Sequence, residues 1–180
     1  MPSNMASALM PDFRRVRGYN LDGCSPYVMA GRQLRCSRDI TAGMACDPSS
    51  YRVLIVDDVP EVREALGWAL ENEQGLTVVG EAGTGADALV WERALAPDVV
   101  LLDIELPTLD GYAVTRALKT SAHPPVVVFL TMHDDPRSRR RAAEAGGDGF
   151  AEKGVGWPAL IAEVRRALAS PRLRRDNPGQ

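Results

Sequence analysis

Val99-Val100-Leu101-Leu102-Asp103 sets a carboxylate directly behind four apolar residues. The run shows no polar alternation, which is the character of a central parallel strand covered on both faces. Such a strand requires helices above and below it, so the flanking sequence should alternate strand with helix. It does so in both directions. Upstream, Arg52 to Val56 reads as a strand, Pro60 to Asn72 as a helix, Leu76 to Glu81 as a strand and Gly85 to Ala94 as a helix. Downstream, Asp110 to Thr120 is helical, Val126 to Leu130 is a strand and Pro136 to Ala145 is helical. Phe150 to Glu152 is then a short strand, and Trp157 to Ala169 is a final helix with Leu160, Ile161, Val164 and Leu168 on one side. Pro60 suits a first helical turn, where its missing N–H costs nothing. Five strands alternating with five helices predict a doubly wound α/β fold built on a parallel sheet.

The acidic residues gain meaning from that frame. Asp57 and Asp58 close the first strand, Asp103 closes the third, and Lys153 follows the fifth. In an open parallel sheet these strand ends meet at one rim. Crowded carboxylates repel by roughly 4 kcal/mol per close pair at an effective dielectric near 20, so the group calls for a cation. A hard divalent ion fits oxygen ligands, with Lys153 as a second, fixed positive charge.

The chain has 180 residues, a 45% hydrophobic share, a net charge of -3 and a pI near 5.4. That suits one domain with length to spare, and it argues against a globally basic nucleic-acid binder. With no run approaching a membrane span and no signal peptide, a cytoplasmic location is expected. Cys24, Cys36 and Cys46 lack the paired spacing of a zinc site and read as free thiols. Residues 1–50 hold no lasting periodicity and read as a disordered leader, or as sequence upstream of a later start near Met44. Residues 171–180 read as a disordered tail, which leaves 51–170 as the folded domain.

The ordered set of motifs resembles the receiver domain of two-component response regulators. It comprises the apolar strand before Asp57 and Asp58, Asp103 with Pro107, Asp110 and Gly111, the Phe129-Leu130-Thr131 strand end, and Gly149-Phe150 before Lys153. The wording around Val79 to Ala82 and Leu130 to Asp134 is most similar to the LuxR/NarL-type subgroup. The resemblance implies a flavodoxin-like, CheY-like sheet of order 2-1-3-4-5. It implies that Asp103 accepts a phosphoryl group from a sensor histidine kinase. It implies Mg²⁺ held by Asp58, Asp103 and the backbone carbonyl of Glu105, with Asp57 acting through a coordinated water. Lys153 would pair with a phosphoryl oxygen, the Thr131 hydroxyl with another, and Phe150 would turn into the space that Thr131 vacates.

The resemblance implies a downstream protein partner at the fourth and fifth helices, where receivers signal, and it leaves a homodimer open. Arg137, Arg139, Arg140 and Arg141 on the fourth helix read either as a solvated face or as that docking surface. Relatives of this subgroup carry a DNA-binding module after the receiver, and the ten or so residues after Ala169 are too few for one, so direct DNA binding by this chain is not expected. Nor is a membrane association. The chain is expected to catalyse only its own phosphoryl transfer and dephosphorylation.

Three departures from the family pattern matter. Gly154 stands where many receivers have proline after a cis peptide, so this bond is expected to be trans or the loop more mobile. Leu106 replaces a frequent methionine, and Phe150 lacks the hydroxyl of the commoner tyrosine. Other readings compete. Gly83-Thr84-Gly85-Ala86-Asp87-Ala88 matches a dinucleotide-binding fingerprint, but it follows the second strand rather than the first. An aspartate-nucleophile phosphatase would need an acid/base two positions after Asp103, where Glu105 stands. A receiver-like interaction module without phosphorylation is the third alternative. His123 and His133 read as ordinary loop residues, His133 lying close enough to Thr131 to influence water attack on an acyl phosphate.

Overall fold

The computed structural model describes residues 50–132 and 135–170. Residues 1–49 of the predicted leader, the tail and His133 lie outside these residues. Five strands alternate with five helices: β1 (Tyr51–Val56), α1 (Pro60–Glu71), β2 (Leu76–Ala82), α2 (Gly85–Leu95), β3 (Val99–Asp103), α3 (Gly111–Leu118), β4 (Val126–Thr131), α4 (Pro136–Glu144), β5 (Gly149–Glu152) and α5 (Trp157–Leu168). The strands are parallel and lie in the order β2-β1-β3-β4-β5. This is the flavodoxin-like, doubly wound sheet expected from the alternation and the resemblance.

The period of two along each strand divides the core into two layers. Leu54, Val56, Val100, Leu102, Val127 and Phe129 point into the layer that also holds Ala88, Trp91, Val114, Leu118 and Ala142 from α2, α3 and α4. Their strand neighbours Val53, Ile55, Val99, Leu101, Val126 and Val128 point into the other, against Leu66 and Leu70 of α1 and Leu160, Ile161 and Val164 of α5. β3 is buried throughout, which is why its sequence carries no polar alternation.

The starts of α2, α3 and α4 follow from side-chain caps. Thr84 accepts from the Asp87 N–H, Asp110 from the Ala113 N–H, and Asp135 from those of Arg137 and Ser138. Pro60 occupies the first turn of α1, as its fixed φ favours.

The loop between β3 and α3 is held against the end of β3. The Gly111 N–H donates to the Ile104 carbonyl, and a Cβ at Gly111 would fall 2.3 Å from the Asp103 carbonyl oxygen. Only glycine permits that approach. Within the same loop the Leu109 N–H donates to the Pro107 carbonyl around Thr108, whose φ of 71° lies in the left-handed region. Both features bring the chain back tightly beside Asp103.

Of the fingerprint-like glycines, Gly85 serves packing. A Cβ on Gly85 would meet Val114 Cγ2 at 2.6 Å, and Thr84 between the two glycines is the helix cap. Their loop leaves β2, an edge strand, whereas the crevice of this topology opens between β1 and β3, where the chain reverses its direction of winding.

Candidate functional site

Asp57, Asp58 and Asp103 arrive at that crevice from the carboxyl ends of β1 and β3, and Lys153 from just beyond β5. One carboxylate oxygen from each aspartate lies within 4.8 Å of the others. Asp57 and Asp103 are buried and Asp58 is exposed. The ammonium of Lys153 donates to Asp103 Oδ2 at 2.7 Å and stands 2.6 Å from Asp57 Oδ2. The other oxygen of each buried carboxylate is bound by the turn that follows it. Asp57 Oδ1 accepts from the Val59 N–H at 3.0 Å, and Asp103 Oδ1 from the Glu105 N–H at 3.3 Å.

Charge and burial set the ionisation of this group. Burial pushes the Asp103 carboxyl above the usual carboxylate range, outweighing the hydrogen bond and charge of Lys153, and the neighbouring Asp57 adds to the rise. For Lys153 burial is the largest single influence and works downward. Its contacts with the carboxylates of Asp103 and Asp57 together exceed it, so the ammonium is held above its ordinary value. Three carboxylates against one ammonium leave two negative charges, the amount a divalent cation supplies.

The donor set also suits such an ion chemically. All the side-chain donors are carboxylate oxygens, and Asp57 Oδ2 is buried without a well-directed hydrogen bond even though the ammonium is near. Hard divalent cations take ligands of this kind.

Thr131 ends β4 in a buried position, and its carbonyl accepts from the Lys153 N–H at 2.6 Å. Strand alternation turns Thr131 to the same sheet face as Phe129, the face that α4 covers. Phe150 pairs with Phe129 across β4 and β5, is half-buried against the same layer, and carries the Arg139 guanidinium 4.8 Å above its ring. Phe150 therefore lies beneath α4, and Thr131 faces the same side of the sheet. Glu105 is exposed, and its contact with Asp103 is through its N–H. The peptide bond before Gly154 is trans, as are all described bonds, and Gly154 takes a φ of 111°.

Comparison with known proteins places this geometry. The model of the response regulator receiver domain matches residues 53–165, well over half the chain. The chain belongs to the response regulator receiver family. It is 38% identical over 122 residues to the response regulator GacA of Pseudomonas viridiflava, covering 67% of this chain and 56% of that one. To the response regulator UvrY of Escherichia coli K12 it is 34% identical over 120 residues, 67% of this chain and 55% of that one. The chain thus spans little more than half the length of these curated relatives. Among solved structures, the signal receiver domain of NarL from Mycobacterium tuberculosis aligns with a TM-score of 0.64 at 35% identity, over 68% of this chain and all of that one. A LuxR-family response regulator from Aurantimonas gives 0.64 at 30% identity, over 70% of this chain and 94% of that one. Clustered acidic residues of this kind are typical of the phosphoaccepting receivers of two-component systems. No helix among the described residues is long and apolar enough to cross a membrane.

Reading the sequence missed residues that support the site from behind. Arg63 reaches from α1 to the backbone of Asp57, and Glu163 reaches from α5 to the N–H of Phe150. Neither stands at a strand end or in a motif, so no local signal marks it. Val59, Met132 and Val155 on the loops that follow strand ends, and Trp157 at the start of α5, are exposed apolar positions.

Proposed function

We propose that Asp103 is the phosphoacceptor of a two-component phosphorelay and that the donor is a phosphohistidine of a sensor histidine kinase. One Asp103 carboxylate oxygen attacks phosphorus, the P–N bond to the imidazole breaks, and the imidazole takes up a proton as it leaves. The product is an acyl phosphate, later released by water. Asp58, Asp103 and the backbone carbonyl of Glu105 would hold Mg²⁺, with Asp57 acting through a coordinated water. Bound there, Mg²⁺ supplies positive charge that offsets the anionic carboxylate and phosphoryl oxygens as they come together.

The chain's own groups account for the rest. Lys153, already on Asp103 Oδ2 at 2.7 Å, would transfer its bond to a phosphoryl oxygen. The Thr131 hydroxyl would bond another oxygen, and Phe150 would move into the space left beneath α4. Arg139 above the Phe150 ring would shift with it, changing the surface of α4 and α5 offered to a downstream protein. The exposed apolar positions on the loops that follow strand ends suit a docking kinase. The proposed folded unit is 51–170.

The observation that carries this reading is three carboxylates within 4.8 Å of one another with a lysine bonded to the buried acceptor. The test is transfer from a kinase labelled on its histidine. Label should move to this chain in Mg²⁺, stop when the ion is chelated, and not move to Asp103→Asn. Transfer unaffected by chelation, or retained in Asp103→Asn, refutes it.

A further inference from the structure

We propose that Arg63 is a positioning residue whose grip on the Asp57 carbonyl orients Asp58 for the divalent cation. The inference rests on reading the acidic cluster as a cation site. Arg63 lies in the first turn of α1, and its NH1 donates to the Asp57 backbone oxygen at 2.6 Å. Its Nε stands 3.7 Å from Glu81 Oε2 on β2, and both side chains are largely buried, at 12% and 22% exposure. On the other side of the same residue, the Asp57 N–H donates to the Ala82 carbonyl at 3.1 Å. The Asp57 side chain is held as well, by the Val59 N–H and by Lys153.

Asp58 differs. It is exposed, and among the described residues its carboxylate has no hydrogen-bond or ion-pair partner. Its direction is therefore set by the backbone it grows from, and the peptide joining Asp57 to Asp58 is the unit that Arg63 fixes. If that carbonyl were released, the peptide plane could rotate, and Asp58 would lose its place beside Asp57 and Asp103. Glu81 holds the guanidinium in turn, so an edge strand supports the end of β1 through α1.

A positioning role and a purely electrostatic one predict opposite signs. Arg63 is a positive charge near a cation site, so removing it should tighten cation binding if charge alone mattered. If orientation matters, removal weakens binding. The probe is Mn²⁺, whose free ion gives an electron paramagnetic resonance signal, titrated into the full chain. Arg63→Met is expected to raise the dissociation constant about tenfold, the usual scale for losing a residue that supports metal ligands. Arg63→Lys, which keeps the charge but not the forked donor, should lose affinity too. Glu81→Gln should shift it less, in the same direction. Lys119→Met, which removes an ion pair with Asp148 remote from the site, controls for general loosening and should leave the constant unchanged.

Unchanged or tighter binding in Arg63→Met and Arg63→Lys overturns the inference while the cation site stands. If Arg63→Met does not fold, Arg63→Lys and Glu81→Gln decide the matter. Absence of Mn²⁺ binding by the unaltered chain overturns both readings together.

Discussion

The Nζ of Lys153 is shared between two buried carboxylates, and the consequences of removing it follow from what remains. Lys153→Ala leaves Asp57 and Asp103 without their cation in a poorly hydrated place. Breaking a buried pair by deleting one partner costs about 3 kcal/mol, and Asp103 can relieve part of that by taking a proton. The metal-free variant should lose about 2 kcal/mol in urea denaturation at pH 7. The deficit should shrink on acidification. A carboxyl whose folded pKa lies above its unfolded value destabilises the fold at high pH, and that penalty disappears as pH falls through the folded value. Acceptance of phosphate should survive in part, while the downstream response is blunted. A variant that signals normally contradicts the role given to Lys153.

Asp58 is the converse case. As an exposed carboxylate beside two buried ones, it adds repulsion when no cation is bound. Asp58→Ala should leave the metal-free chain as stable as before or up to about 1 kcal/mol more stable. It should also abolish the rise in stability that saturating Mg²⁺ confers on the unaltered chain. That rise is about 2.7 kcal/mol at a hundredfold excess over the dissociation constant. Denaturation with and without Mg²⁺ measures both effects, and an undiminished Mg²⁺ effect in Asp58→Ala would exclude Asp58 as a ligand.

Among the elements, β5 and α5 pack through an apolar layer and are also tied by one carboxylate. β5 is an edge strand, and the Phe150 N–H donates to Glu163 Oε1 at 2.9 Å. Arg166 closes on the same carboxylate with both Nε and NH2, at 2.7 and 2.6 Å. The Arg166 hydrogen bonds, foremost, and the Phe150 N–H hold the Glu163 carboxyl below the usual carboxylate range. Because that folded pKa is depressed, the stabilisation is complete above the unfolded value and is lost as pH falls through the folded one. Stability should therefore fall more steeply between pH 6 and about pH 3 in the unaltered chain than in Glu163→Gln. Urea midpoints across that range provide the measurement, and parallel curves would contradict it. This tie was not legible in the sequence, because Glu163 reads as a polar position on an amphipathic helix. Its partner lies 13 residues away in the chain and is a backbone group.

The element boundaries show the same division. Val99 to Leu102 announced a buried strand because every residue of it is apolar, yet β3 also takes in Asp103 and β4 takes in Thr131. Their backbones continue the ladder, pairing with Leu130 and Glu152, while their side chains leave the apolar pattern. The residues that lie at the rim of the site are those at which the pattern breaks. Helical spacing placed α1 and α5 to within a residue because each has a buried stripe. α4 buries only Ala142 and carries no such stripe.

For the whole molecule, the alternation of strand and helix was sufficient to give the layers, and the winding order then gave the place of the crevice. What was legible of the site was the part that chain topology delivers: Asp57, Asp58, Asp103, Thr131 and Lys153, all at or just past strand ends. What was not legible was the support that packing delivers, through Arg63 and Glu163. The central claim concerns one oxygen atom of Asp103. Treatment of the full chain with a small-molecule phosphodonor and Mg²⁺, followed by borohydride trapping of the acyl phosphate and peptide mass spectrometry, locates the modified residue directly. The account predicts a single modification at Asp103, absent without Mg²⁺. Modification at Asp57 or Asp58 in its place, or undiminished modification of Asp103→Asn, would contradict it.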